Sequence, residues 1–177
     1  MTMRRFLETD RLLLRPFRPG DEADCFAFLS DRETCYLDGG YEPFPAMDEA
    51  YDALMRELQG QEGRYMIAEQ AADRVIGTVH LSRDERRRVE AVEIGYVVSP
   101  AFRRRGYAAE AVERIIKALF EETDTELITA GAAVDNAPSL ALLEKLRFVR
   151  EGIVRKGFFL PGKGPVDLVS FYLERGA

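Results

Sequence analysis

The sequence predicts a single α/β or α+β domain spanning residues 1–177, a mixed sheet with helices on both of its faces. Three observations predict it. Strand-like and helix-like segments follow the order β, α, α, β, β, β, α, β, α, β, β, which mixes a strand meander with strand–helix–strand crossovers. The 177 residues suit one domain rather than two. Hydrophobic residues make up 46% of the chain, enough for a full core, and charged residues 32%, ordinary for a soluble surface.

Taken in order, Arg11-Leu12-Leu13-Leu14-Arg15 reads as a first strand stopped by Pro16 and by Pro19-Gly20. Asp21 is placed to cap a helix carrying Ala23, Phe26, Ala27 and Leu29. Residues 35–45, with Gly39-Gly40, Pro43 and Pro45, read as a loop. Asp48 opens a second helix whose Ala50, Leu54 and Leu58 share one stripe. Strands follow at 65–69, 75–81 and 91–98, with the polar stretch 82–89 as a hairpin connection. After Gly106, Ala108, Ala111, Val112, Ile115, Ile116, Leu119 and Phe120 keep the helical period. A strand at 127–133 leads to a helix over 136–146 with Pro138 in its first turn, where proline is tolerated. Strands at 148–154 and 168–173 complete the order.

Charge and cysteine content exclude several classes. A net charge of −6 lacks the basic field that nonspecific nucleic-acid binding needs, so no direct nucleic-acid partner is expected. No stretch is long and apolar enough to span a bilayer, so no membrane partner is expected, and Glu8 comes too early for a signal peptide's apolar region. Cys25 and Cys35 have no metal spacing and read as reduced thiols of a cytoplasmic protein, with no metal site expected.

The most informative segment runs from Val97 through Ser99-Pro100-Ala101-Phe102-Arg103-Arg104-Arg105-Gly106-Tyr107-Ala108, from strand to tight loop to helix start. The first N–H groups of a helix lack intrahelical partners and carry the positive end of the macrodipole, so they bind phosphate. Gly106 lets backbone approach a ligand closely, Ala108 keeps the wall low, and Arg103, Arg104 and Arg105 add charge. Neither the dinucleotide motif G-x-G-x-x-G nor the P-loop motif is present. The plainer alternative, a solvated basic loop, leaves the small residues at set spacing unaccounted for.

Arg103-x-x-Gly106-x-Ala108 resembles the Gln/Arg-x-x-Gly-x-Gly/Ala signature of the GNAT N-acetyltransferases. Glu8-Thr9-Asp10-Arg11-Leu12-Leu13-Leu14-Arg15-Pro16, Glu93-Ile94-Gly95-Tyr96, Gly106-Tyr107-Ala108-x-Glu110-Ala111, and Asn136-x-x-Ser139 before Leu143-Glu144-Lys145-Leu146 and Phe148 are similar to its RimJ/RimL-type branch, collinearly over nearly the whole chain. That branch includes ribosomal-protein N-terminal acetyltransferases. The resemblance implies a GNAT-like sheet of about seven strands, splayed between the parallel strands ending at Val98 and starting at Leu127, with acetyl-CoA in the V. It also implies that the pantetheine arm pairs with backbone at Val97 and Val98. Amides of Arg104, Gly106, Tyr107 and Ala108 would take the pyrophosphate, and Asn136 would reach the pantetheine or thioester end. A homodimer is compatible with the resemblance.

The implied reaction is direct acetyl transfer from acetyl-CoA to a primary amine, foremost an α-amine of a protein or peptide. A small amine (polyamine, amino acid or antibiotic) and a non-catalytic CoA-binding module are the alternatives. Transfer needs a neutral amine, a stabilised oxyanion and an outlet for the thiolate. Glu93, in an otherwise apolar strand, is the candidate base, because burial would raise its pKa. The alternative for Glu93 is an ion pair with Arg86, Arg87 or Arg88. The resemblance points to a backbone N–H near Val98 for the oxyanion. Many relatives carry a tyrosine where this chain has Leu143, so Ser139 becomes the candidate acid, its alternative being a capping bond. Arg147 stands where relatives often have glycine, which puts that turn in question. His80 is a lesser alternative base, more readily a structural strand residue. Arg86-Arg87-Arg88 reads as a solvated hairpin tip. Tyr36, Asp38, Tyr41, Phe44, Phe158, Phe159 and the loop 161–165 are candidates to line the acceptor site.

Overall fold

The structure is a computed structural model that describes residues 3–176, apart from the side chain of Asp38 and the surroundings of Gly39. The expected class holds, with one eight-stranded sheet: β1 (Leu7–Glu8), β2 (Leu12–Arg15), β3 (Arg64–Glu69), β4 (Arg74–Arg83), β5 (Ala91–Val98), β6 (Leu127–Ala133), β7 (Val149–Leu160) and β8 (Gly164–Glu174). Their spatial order is β1-β2-β3-β4-β5-β6-β8-β7. The pairings of β1 to β5 are antiparallel, β5 with β6 is parallel, and β6–β8–β7 is antiparallel again.

Helices cover both faces. On one, α4 (Tyr107–Glu122) and α5 (Ala137–Lys145) bury Ala111, Val112, Ile115, Leu119 and Leu143 against Leu14, Ile67, Ile76, Ile94 and Ile128. On the other, α1 (Glu22–Leu29) and α3 (Glu49–Leu58) bury Phe28, Tyr51, Met55 and Leu58 against Met66 and Val97. Removing these apolar stripes from water is what holds helix to sheet. Asp48 caps α3 as expected, accepting from the amides of Ala50 and Tyr51.

Four sequence expectations need correction. Asp21 starts α1 but makes no side-chain cap, because its carboxylate is engaged by the buried guanidinium of Arg15 at 2.7 and 2.8 Å. Residues 35–45 are not all loop, since α2 (Arg32–Thr34) runs into a π-helical turn at Cys35–Gly39. The last two strands extend well past 154 and begin before 168, with register shifts near Gly152 and Val154–Phe158 that local alternation does not reveal. The two-residue β1 carries no period at all and was not expected.

Candidate active site

β5 and β6 pair over three residues only, Ala91 with Leu127, Val92 with Ile128 and Glu93 with Thr129. Beyond that point β5 stays on β4 as far as Val98 and β6 stays on β8 as far as Ala133, so a wedge opens between them. Ser99 donates to Ile76, which fixes the alternation along β5. The N–H and C=O of Val97 point to β4, and those of Tyr96 and Val98 point into the wedge. The expectation that Val97 offers backbone to a pantetheine is thereby corrected. Its side chain lies on the other face, against α1 and α3.

The wedge leads to the loop before α4. Gly106 is the N-cap of this 16-residue helix at φ 83°, with no side chain capping the amides that follow. The first intrahelical bond runs from the Glu110 amide to the Gly106 carbonyl, so the amides of Tyr107, Ala108 and Ala109 precede any helical partner. Arg104, also left-handed at φ 62°, turns the chain before the cap. The loop is held from β2: Arg11 donates to the Arg105 carbonyl at 3.1 Å and pairs with Glu110 at 2.6 Å. That triangle explains why Arg11 and Glu110 accompany the glycine in the sequence.

A cavity of about 470 Å³ and one of about 620 Å³ meet at Tyr96, which lines both. The larger runs from Arg103, Arg104, Gly106, Tyr107 and Ala108 past Val98 to Asn136 and Ser139. The smaller is walled by Phe28, Leu29, Phe44, Leu54 and Met66, with Tyr41, Glu42, Arg64, Thr78, His80 and Val97 among its other lining residues. Tyr41 and Phe44 thus reach a cavity as expected, whereas the Asp38 side chain lies outside the described residues. Phe158 instead packs on Gly40, where an added Cβ would sit 2.8 Å from its ring.

The predicted site residues divide. Ser139 accepts or donates with the Tyr96 hydroxyl at 2.9 Å, and its amide donates to Asn136 Oδ1 at 3.2 Å. Asn136 caps α5 and ties it to the π-turn by donating to the Leu37 carbonyl at 3.0 Å, while still lining the cavity. Arg103 lines the cavity too, yet its guanidinium binds the Val98 carbonyl at 3.2 Å and Thr34 Oγ1 at 2.6 Å, so it braces the cradle. Arg105 stacks its guanidinium over Phe102 and is absent from the lining. Tyr107 is buried, donating to Glu69 at 2.6 Å. Glu93 is not brought together with the rest. It stands at the wedge's closed end, lines neither cavity, and pairs with Arg86 at 3.2 Å with 38% of its side chain exposed. The burial expected of it is not found.

Sequence reasoning missed Tyr96 and Lys145, both in the cofactor-side lining. Tyr96 belongs to the Glu93-Ile94-Gly95-Tyr96 motif, but only the wedge reveals that a residue at that strand position enters a site. Leu143, where many relatives carry tyrosine, is fully buried in the core. Arg147 keeps the left-handed turn at φ 65° despite its Cβ. Cys25 borders the smaller cavity, and burial foremost pushes its thiol up to about 12, which removes it as a nucleophile.

A splayed parallel strand pair, capped by an amide-rich loop at a helix N-terminus, defines an acyl-CoA-dependent transferase. A family model described as an acetyltransferase (GNAT) domain matches residues 11–149, and the chain belongs to that family. It is 32% identical over 154 residues to the uncharacterized N-acetyltransferase p20 of Bacillus licheniformis, covering 84% of this chain and 85% of that protein. Its fold is similar to that of a GNAT-family acetyltransferase from Bacillus anthracis, at TM-score 0.86, 23% identity, and coverage of 97% and 99%. It is likewise similar to spermidine N-acetyltransferase from Vibrio cholerae, solved with CoA and spermine, at TM-score 0.76, 23% identity, and coverage of 94% and 97%. The chain is an acyltransferase that uses acetyl-CoA to acetylate an amine. The larger cavity fits that cofactor, with unclaimed helix amides at one end and an open strand edge along its length.

Proposed function

We propose that the acceptor is the α-amine of a protein or peptide whose first residue is apolar, as in the RimJ/RimL-type branch, and that the protein works in the cytoplasm. One observation carries this reading. The smaller cavity meets the cofactor cavity at Tyr96, and its walls are apolar apart from a few polar groups, among them the guanidinium of Arg64. A polycation such as spermine gains little there, since Glu42 is the one carboxylate among the described lining residues and Arg64 repels it. An α-amine also asks less of the enzyme: its pKa is about 8 against about 10.4 for lysine, so roughly a tenth is already neutral at pH 7.

In this reading the amides after Gly106, with Arg104 and Lys145 nearby, hold the pyrophosphate. The Val98 N–H, directed into the wedge, stabilises the oxyanion. The Tyr96–Ser139 hydroxyl pair carries a proton to the departing sulfur. The test is thiol release from acetyl-CoA with a panel of peptides, free amino acids and polyamines. Apolar-start peptides are expected to turn over best. A clear preference for spermidine or spermine refutes the acceptor assignment.

A further inference from the structure

We propose that His80 is the general base of the transfer, taking the proton from the acceptor ammonium inside the smaller cavity. This rests on acetyl transfer to an amine but not on which amine is used.

The geometry is that of three adjacent strands. Arg64 on β3, His80 on β4 and Gly95 on β5 stand directly opposite one another. Because Gly95 has no side chain, the imidazole lies over the β5 backbone; a Cβ there would come within 2.1 Å of His80 Cε1. The ring therefore faces the cavity beside Tyr96, the residue shared with the cofactor side. In the next row, toward the phosphate loop, stand Met66, Thr78 and Val97, all lining the same cavity. Thr78 Oγ1 is buried with no hydrogen-bond partner among the described residues. His80 itself is exposed, lines the cavity, and has no ring nitrogen bonded to another of the described residues, so its nitrogens are open to an incoming ammonium. A basic nitrogen and an unsatisfied hydroxyl two positions apart on one strand suit an ammonium donor.

The surroundings keep the base ready. Partial desolvation at the cavity wall first, and then the Arg64 guanidinium, lower the imidazole from its ordinary value although the residue stays solvent-accessible, which favours the neutral form. The other titratable groups around it are Glu93 and Tyr96 on β5, Tyr41 and Glu42 after the π-turn, and Cys25 on α1. Glu93, one row beyond toward the closed end, is neutralised by Arg86.

The protons balance. His80 accepts one proton from R–NH3+, giving R–NH2 and an imidazolium. The nitrogen lone pair attacks the thioester carbonyl, the C–N bond forms, and the C–S bond breaks with its electron pair going to sulfur. The sulfur takes a proton from the Tyr96–Ser139 pair, which regains one from the acylated nitrogen. The imidazolium releases its proton to water, one per turnover.

His80 is the sole histidine of the chain, so its Cε1 proton can be followed by NMR without assignment. Its titration midpoint in the free enzyme should coincide with the ascending limb of kcat/KM against pH, measured with whichever panel amine turns over fastest. Arg64→Gln removes a like charge and should move both midpoints to higher pH together. His80→Gln should lower kcat on the order of a hundredfold or more and erase the limb, with acetyl-CoA affinity by calorimetry retained. Should His80→Gln fail to bind acetyl-CoA, the Arg64→Gln comparison decides. Two midpoints that differ, a limb that survives His80→Gln, or a limb lost in Glu93→Gln and kept in His80→Gln overturns the proposal. A polyamine winning the panel overturns the acceptor assignment alone.

Discussion

Gly106 is the position where one atom decides binding. At φ 83° it occupies backbone that favours glycine, and an added Cβ would meet Arg11 Nη2 at 3.4 Å, the group that holds the loop. Gly106→Glu adds strain, displaces Arg11 and sets a carboxylate beside phosphate. Acetyl-CoA affinity should fall on the order of a hundredfold or more, read by calorimetry; unchanged affinity places the cofactor elsewhere. This residue was legible from the sequence, because a glycine between a strand and a helical stripe has few other reasons to be there. Of the two readings of Glu93, the ion pair with Arg86 is the one the structure shows, and the burial that the base reading needed is absent. A carboxylate in an apolar strand suggests burial, but how much of Glu93 stays exposed, 38%, is set by the packing of the whole sheet and not by the local pattern.

At the level of elements, the β4–β5 hairpin is more than a solvated tip. Asp84 is buried at its root, bonded to Arg86 at 2.7 Å and accepting from Thr129 Oγ1 at 2.8 Å. Arg86 continues to Glu93, and Arg87 pairs with Glu151 on β7. The network thus ties the two sheet halves together just below the wedge. The Arg86 hydrogen bonds foremost hold the Asp84 carboxyl down at about 2. A folded pKa depressed below the unfolded value of about 3.9 contributes stability that is complete above roughly pH 4 and lost as pH falls toward 2. Its size is of order 2 kcal/mol. Urea unfolding should show Asp84→Asn less stable by about that amount at pH 7, with the gap closing near pH 2. An equal difference at both pH values refutes the assignment. The sequence offered the pairing of these arginines with Glu93, but not the reach to Thr129 and Glu151, which are distant in the chain.

Across the whole molecule, the wedge leaves two sheet halves joined by three parallel residue pairs and the Asp84 network. A ligand lying in the gap bridges them and binds only the folded chain. At a hundred times its Kd, acetyl-CoA should stabilise the protein by about 2.7 kcal/mol. For a domain of 177 residues that is roughly a 5–10 °C rise in Tm. Differential scanning calorimetry checks it, and the Gly106→Glu variant should show at most about a 1–2 °C rise at the same acetyl-CoA concentration.

Local chemistry wrote much of this protein into its sequence. Periodicity marks seven of the eight strands and both long helices, and a strand, a glycine and a helix start in succession mark the anion cradle. Those features depend on residues within a few positions of each other. Tertiary structure alone decided which groups face which cavity. The wedge and the meeting of the cavities at Tyr96 arise where β5 parts from the distant β6, and the direction of the Val97 and Val98 amides and the placing of His80 over Gly95 arise from the register of β4 on β5. Strand register is fixed by burial summed over the whole sheet, and a one-residue slip would exchange every one of those faces.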